Sequence, residues 1–410
     1  MKQAPIVALS LTALISACIF MASAAASAVT FDEQGFLRVE GKRFFPIGAY
    51  DPPAGWDEKR LAAAGFNLVR AGADRKAFDE ARAAGLRVWF SFGDGLALSS
   101  TDTAKTRSLR QRVETLADHP AVLFWETADE PAWTDADPAK ARLAPEPLAR
   151  GYEELRRLDP AHPVYLNHAP RNMVETLQRY NPACDIVSVD IYPIIPCGIR
   201  KMYAITPDGR QGDLPNQTPS CAGEYVQKMR RVQPGRPVFI VLQGFAWETL
   251  RKEPERDPRM IRYPTYAETR FMAFDAIING TNGILYWGLR YAPAGHPFVE
   301  DVAKVTRELR ELTPAIVGQT WAGELDRHYR EMGSTIAKGV EVLVREQPDG
   351  RRVIFTANTS IDPARVTFSR LPVRGTSLRS REGGKDIPLE NGSFTADYAG
   401  LEVRVFGEVK

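Results

Sequence analysis

The residues best placed to do chemistry are two adjacent acids, Asp129 and Glu130, which follow the apolar run Ala121-Val122-Leu123-Phe124-Trp125 and are stopped by Pro131. The run reads as a buried strand, so the acids stand where the chain leaves the core. A carboxyl held at such a point can give and take a proton, because burial raises its pKa toward neutrality. At the C-terminal end of a strand in a parallel α/β barrel, acids read as catalysis; in an ordinary loop the same pair would be a solvated turn.

The surrounding pattern supplies the barrel. Helical and strand periods alternate: after a first strand at Phe44–Ala49, a predicted helix over 56–64 closes on Gly65, the strand Phe66-Asn67-Leu68-Val69-Arg70 follows, and a helix over 74–84 closes on Gly85 before a strand at 86–92. The alternation continues through strands predicted at 121–127, 164–167, 185–190, 238–242 and 283–287, each followed by a helical stretch. Eight such units between Phe44 and Leu312, roughly 270 residues, predict a (β/α)8 TIM barrel. A doubly wound open sheet fits less well, since no Gly-rich phosphate loop follows the first strand. Beyond Trp321 the period changes to two between turns such as Asp349-Gly350 and Asn391-Gly392, predicting a small C-terminal antiparallel β-sandwich that packs on the barrel. The expected division is a signal peptide at 1–28, the catalytic barrel with an N-terminal β-hairpin at 29–318, and the β-domain at 319–410.

Composition narrows the partners. With 53 basic and 51 acidic residues the chain is nearly neutral, which argues against nucleic acid or an anionic membrane surface. Lys2, the apolar stretch from Ile6 to Met21 and the small residues through Ala26-Ser27-Ala28 predict cleavage of a signal peptide and a secreted or periplasmic protein. Ile15-Ser16-Ala17-Cys18 also resembles a lipobox, but Ile19, Phe20 and Met21 continue the apolar run past Cys18, so a lipid anchor is the less favoured outcome. No other stretch is long enough for a membrane span. Cys197 and Cys221 bracket a Pro/Gly-rich loop that a disulfide could staple, whereas Cys184 reads as a buried thiol. Five scattered histidines give no metal-site spacing, and no cofactor is implied.

In a barrel, strand exits converge on one rim, and here they carry Tyr50 and Asp51, Arg70, Phe92 and Asp94, Asp129 and Glu130, Asn167 and His168, Asp190 and Tyr192, Gln243, and Trp287. Carboxylates and amides that bond hydroxyls, with aromatic rings that stack on an apolar sugar face, fit an oligo- or polysaccharide. Some of these have plainer readings. Trp125 reads as core, His168 as a structural histidine, Asp94 as a turn residue in Gly93-Asp94-Gly95, and Arg270 as half of a structural salt bridge.

Two motifs, Phe66–Arg70 and Trp125–Glu130, resemble the N-x-V-R and W-x-x-x-N-E signatures of the clan A glycoside hydrolases, and Gly283–Trp287 is a weaker third likeness. The resemblance covers Phe44 to about Leu312 and implies a glycosidase with Glu130 as general acid and Arg70 orienting a neighbouring carboxylate. Two departures stand out. Asp129 replaces the clan's Asn, and Gln243 stands where the nucleophilic Glu would be at the end of the seventh strand. Glu248 could fold back as nucleophile or inverting base, though it reads more simply as a loop acid. Alternatively the Asp129-Glu130 pair resembles that of substrate-assisted N-acetylhexosaminidases, in which the Asp polarises the sugar's own acetamido group. The remaining alternative is a non-catalytic carbohydrate-binding barrel that has lost its seventh-strand nucleophile. On the glycosidase reading Tyr50, Arg70, Asp190, Tyr192, Gln243 and Trp287 bind substrate, with Glu130 and Asp129 catalytic.

Overall fold

The computed structural model describes residues 28–133, 140–196, 216, 218–330 and 338–409. Eight parallel strands close into a barrel in sequential order: β1 (Ile47–Ala49), β2 (Leu68–Arg70), β3 (Arg87–Ser91), β4 (Val122–Glu126), β5 (Val164–His168), β6 (Ile186–Ile191), β7 (Val238–Gln243) and β8 (Gly283–Trp287). The helices α1 (Glu58–Ala63), α2 (Arg75–Ala83), α3 (Thr103–Leu116), α4 (Pro145–Leu158), α5 (Val174–Gln178), α6 (Cys221–Val232), α7 (Tyr266–Ile278) and α8 (Pro297–Ile316) follow the strands one for one. Asp57, Asp74 and Asp102 cap the first three, and Thr265 with Glu268 forms a capping box on α7. Gly65 and Gly85 take positive φ after α1 and α2, as expected of helix-ending glycines. At Gly65 a Cβ would also stand 2.5 Å from backbone atoms of α8, so glycine is required there for space as well as conformation.

Two apolar layers result. Inside the barrel, Leu68, Trp89, Leu123, Phe124, Tyr165, Phe239, Val241 and Leu285 interdigitate; between strands and helices a second, larger layer is built from residues such as Val69, Trp125, Val187, Phe271 and Leu309. A three-stranded antiparallel sheet (Thr30–Phe31, Leu37–Val39, Lys42–Phe44) closes the end opposite the strand exits, sending Leu37 and Val39 into the interior cluster. The expected hairpin is present, but Phe45 and Pro46 separate it from β1, where a single strand from Phe44 to Ala49 was predicted.

C-terminal to α8, a six-stranded antiparallel sheet faces a three-stranded one (Asp326–Tyr329, Ala364–Ser369, Phe394–Tyr398) across Val340, Ile354, Phe368, Phe394 and Phe406. The sandwich's second apolar face, with Val353, Phe355, Ala357, Val403 and Val405, is continuous with the helix layer of the barrel, and Phe355 meets Phe274 of α7 at 6.2 Å between ring centroids. The predicted leader falls almost wholly outside the described residues, as do Cys18 and Cys197. Cys184 and Cys221 are buried free thiols. Among the described residues no helix is long and apolar enough to cross a membrane.

Candidate active site

Glu130 is reached by a sharp exit from β4. Its φ is +42°, left-handed for a residue that also precedes proline, a conformation that costs about 1–3 kcal/mol unless its surroundings impose it. They do: its N–H donates to the Asn167 carbonyl at 3.0 Å, and its own carbonyl accepts from Trp133 N–H at 3.3 Å. The result turns the carboxyl across the mouth of the barrel to a hydrogen bond with Asp190 of β6. Burial, then the charges of Asp190 and Asp129, push the Glu130 pKa well above the usual carboxylate range. Asp190 is itself raised to about 7 by burial and by Asp129, with the hydrogen bond from Glu130 opposing the rise. Their mutual hydrogen bond raises Glu130 and lowers Asp190, so of the two Glu130 holds its proton more tightly.

Asp129 is different. Its side chain is open to solvent at the lip, and it accepts from Asn167 Nδ2 at 3.0 Å; the same amide lies 3.5 Å from Asp190 Oδ1. The enclosing rim raises the Asp129 pKa, but Asn167 and the guanidiniums of Arg142 and Arg70 oppose this. The Asp129 charge in turn raises Glu126, Glu130 and Asp190. Arg142 ties down the loop by donating to the Asp129 carbonyl and to both oxygens of Asp94 at 2.8 and 2.9 Å.

The other expected residues arrive from around the rim. Arg70 pairs with Asp51 at 3.3 Å and lies over the Tyr50 ring at 5.0 Å, with Arg290 3.7 Å from the other Asp51 oxygen. Tyr192 stacks on Trp287 at 5.7 Å, and Trp247 and Tyr291 flank them, giving an aromatic wall on which Trp247, Trp287 and Tyr291 remain partly exposed.

The geometry redirects the expectation for Gln243 and agrees with the plainer readings of Glu248 and His168. Gln243 does not present its amide to the cleft: Oε1 accepts from Ile194 N–H at 2.9 Å, and Nε2 donates to the carbonyls of Ile194 and Phe245, each at 3.0 Å. Glu248 is buried, accepting from Asp257 N–H at 2.8 Å with Arg251 3.8 Å away, so it anchors the loop after β7. His168 is fully enclosed, with burial and Lys228 lowering its pKa to about 3, and it stays neutral in the outer layer beside Tyr180. Trp125 is core as expected and donates to Asp159 at 2.7 Å.

One buried acid beside the site escaped the sequence reading. Glu126, the last residue of β4, lies inside the barrel at 1% exposure, accepting from Tyr50 Oη at 3.2 Å and Trp89 Nε1 at 3.1 Å. Its direction depends on a slip in the ladder with β3: Val88 pairs with Val122, but Trp89 pairs with Phe124. Leu123 is the extra residue, and from there Phe124 and Glu126 point inward while Trp125 points out. The sequence signal was the charged residue ending an apolar run; without the slip, strict alternation misassigns its face.

No known family model matches the chain, and no curated protein matches its sequence. Solved structures do. A protein titled glycoside hydrolase is 14% identical over 93% of this chain and 96% of its own, with a TM-score of 0.61. A glycoside hydrolase family 5 protein from Bacteroides vulgatus is 15% identical over 93% and 92%, with a TM-score of 0.59, and a GH30 endoxylanase from Clostridium papyrosolvens is 13% identical over 93% and 100%, with a TM-score of 0.51. What the chain shares with them at such identities is architecture: it has the (β/α)8 fold of the clan A-like glycoside hydrolases.

Proposed function

We propose that the protein is an exported glycoside hydrolase in which Glu130 is the general acid that protonates the leaving oxygen. What supports this is the hydrogen-bonded Glu130–Asp190 pair at the barrel mouth, where burial and the neighbouring charges hold the Glu130 carboxyl well above the usual carboxylate range. A donor so loaded, next to an aromatic wall of Tyr192 and Trp287, suits an acetal oxygen on a stacked sugar. Asp190 holds Glu130 in place, and Tyr50 and Arg70 line the opposite side. A hydrogen bond to Glu130 sets Asp190 too near to be an inverting base, whose carboxyl would stand roughly 6.5–9.5 Å away to leave room for its water.

Nothing on β7 serves as nucleophile, because Gln243 is committed to backbone. Asp129, ionised and fixed by Asn167, is positioned to polarise an acetamido group on the substrate itself, which supports the substrate-assisted course for an N-acetylated sugar. The leader at 1–28 would deliver the enzyme outside the cytoplasm. A hydrolysis screen over paired N-acetylated and plain aryl glycosides tests this. Turnover is expected with the N-acetylated partner, and Glu130→Gln is expected to lower kcat by about 10²–10⁴-fold with a natural leaving group while the fold is retained. A fully active Glu130→Gln variant, or saturable glycan binding without any product, would overturn it.

A further inference from the structure

Glu126 takes no part in the reaction just described, yet it occupies the floor beneath it. We propose that Glu126 is a positioning residue: it holds a proton on the floor of the barrel so that negative charge is concentrated on Asp129, and it sets the direction of the hydrogen bonds through Tyr50. The proposal rests on the reading of Asp129 and Glu130 as the working acids.

The geometry allows two states with the same heavy-atom positions. Trp89 Nε1–H can only donate, so Glu126 Oε2, 3.1 Å away, is an acceptor in both. The bond at Oε1 is reversible, because Tyr50 Oη lies 3.2 Å from Glu126 and 3.0 Å from Tyr165 Oη. When Glu126 is neutral it donates to Tyr50, and Tyr50 donates to Tyr165. When Glu126 is ionised, Tyr50 turns its proton to Glu126 and Tyr165 donates to Tyr50. One proton thus reverses two bonds linking β4, β1 and β5.

The groups facing Glu126 are Tyr50 just after β1, Arg70 from β2, Trp89 from β3, Asp129 beyond β4 and Tyr165 from β5. Burial and the Asp129 charge favour the proton, Arg70 opposes it, and the balance raises the carboxyl to about 7. Accessibility decides which state serves the reaction. Glu126 is 1% exposed and out of reach of a sugar, whereas Asp129 is open at the lip. With a neutral floor, the charge sits on the acid that substrate can meet. An ionised floor would add a second charge beside Asp129 and offer Arg70 a competing acid to that on Asp51.

The test follows the Trp89 indole ¹⁵N–¹H signal of the full chain with pH, assigned by loss of the peak in Trp89→Phe. In the parent it should move with a midpoint at about 7. The step should vanish in Glu126→Gln, whose amide reproduces the neutral pattern by donating to Tyr50 and accepting from Trp89. In Asp129→Asn it should fall by at least about half a pH unit, since the charge that holds the proton is gone. On an active substrate, the alkaline limb of kcat/KM should lie at higher pH for Glu126→Gln than for the parent. A parent signal flat from about pH 5 to 9, a midpoint unmoved by Asp129→Asn, or a kcat/KM lowered by one factor at every pH would overturn the proposal. If no glycoside is turned over, the glycosidase reading fails alone, because the indole titration still decides the coupling.

Discussion

A single backbone angle separates what Glu130 does for stability from what it does for chemistry. The left-handed φ of +42° before Pro131 is a cost that the Asn167 carbonyl and the Trp133 N–H hold in place. Glycine carries no such cost. Glu130→Gly should therefore leave the protein as stable as the parent or more so by up to about 1 kcal/mol, because relief of strain is set against the greater freedom of glycine in the unfolded chain. The same change removes the proton donor, so turnover should fall at least as far as in Glu130→Gln. Thermal denaturation beside kinetics checks both; a loss of several kcal/mol would mean that the carboxyl is needed for folding and that the strain argument is wrong. Glu130 was legible in the sequence because an acid followed an apolar run at a strand end. Its φ was not, since the conformation is imposed by Asn167, a residue 37 positions away on the next strand.

At the level of elements, the question is what Gln243 does at the end of β7. Read along the chain, it looks like a nucleophile's place taken by an amide. Read in space, it is the pin that holds the turn after β6 to the turn after β7, using both its donor and its acceptor. Those readings predict opposite results for Gln243→Glu. If the amide merely fills a lost nucleophile's position, the carboxylate restores or raises turnover. If it is a pin, an ionised Glu faces two carbonyls it cannot donate to, and the variant should lose about 2–4 kcal/mol with no gain in rate, by the ordinary cost of unpaired buried groups. We expect the second. Strand order, helix order and most rim residues were readable because alternation and capping are local signals. The inward turn of Glu126 and the backbone commitment of Gln243 were not, because one depends on a ladder slip at Leu123 and the other on where Ile194 comes to rest.

For the molecule as a whole, the barrel and the sandwich share one apolar layer, and a polar knot seals its edge. Arg270 of α7 donates to both oxygens of Glu308 on α8 at 2.7 Å, to Glu382 of the sandwich at 2.8 Å and to the Val403 carbonyl at 2.8 Å. Glu382 in turn accepts from Val405 N–H at 3.1 Å. A guanidinium joining two helices of one unit to a strand of the other is the structural salt bridge that its position on the seventh helix suggested, but its reach into the second unit could not be read from either segment alone. The strands at Asp326–Tyr329 and Ser377–Ser380 are hard to read from sequence for a related reason, as their residues are mostly polar and their place is set by pairing with distant strands. Replacing Arg270 by Met keeps the length and apolar stem while taking the cation from between Glu308 and Glu382, with Arg381, 3.6 Å from Glu308, left beside them. Breaking such a half-buried network should cost about 3–5 kcal/mol. If the shared layer makes barrel and sandwich unfold together, calorimetry of Arg270→Met should give one transition at a lower temperature. Two separated transitions would instead mean that the knot, and not the apolar layer, makes the two units a single cooperative structure.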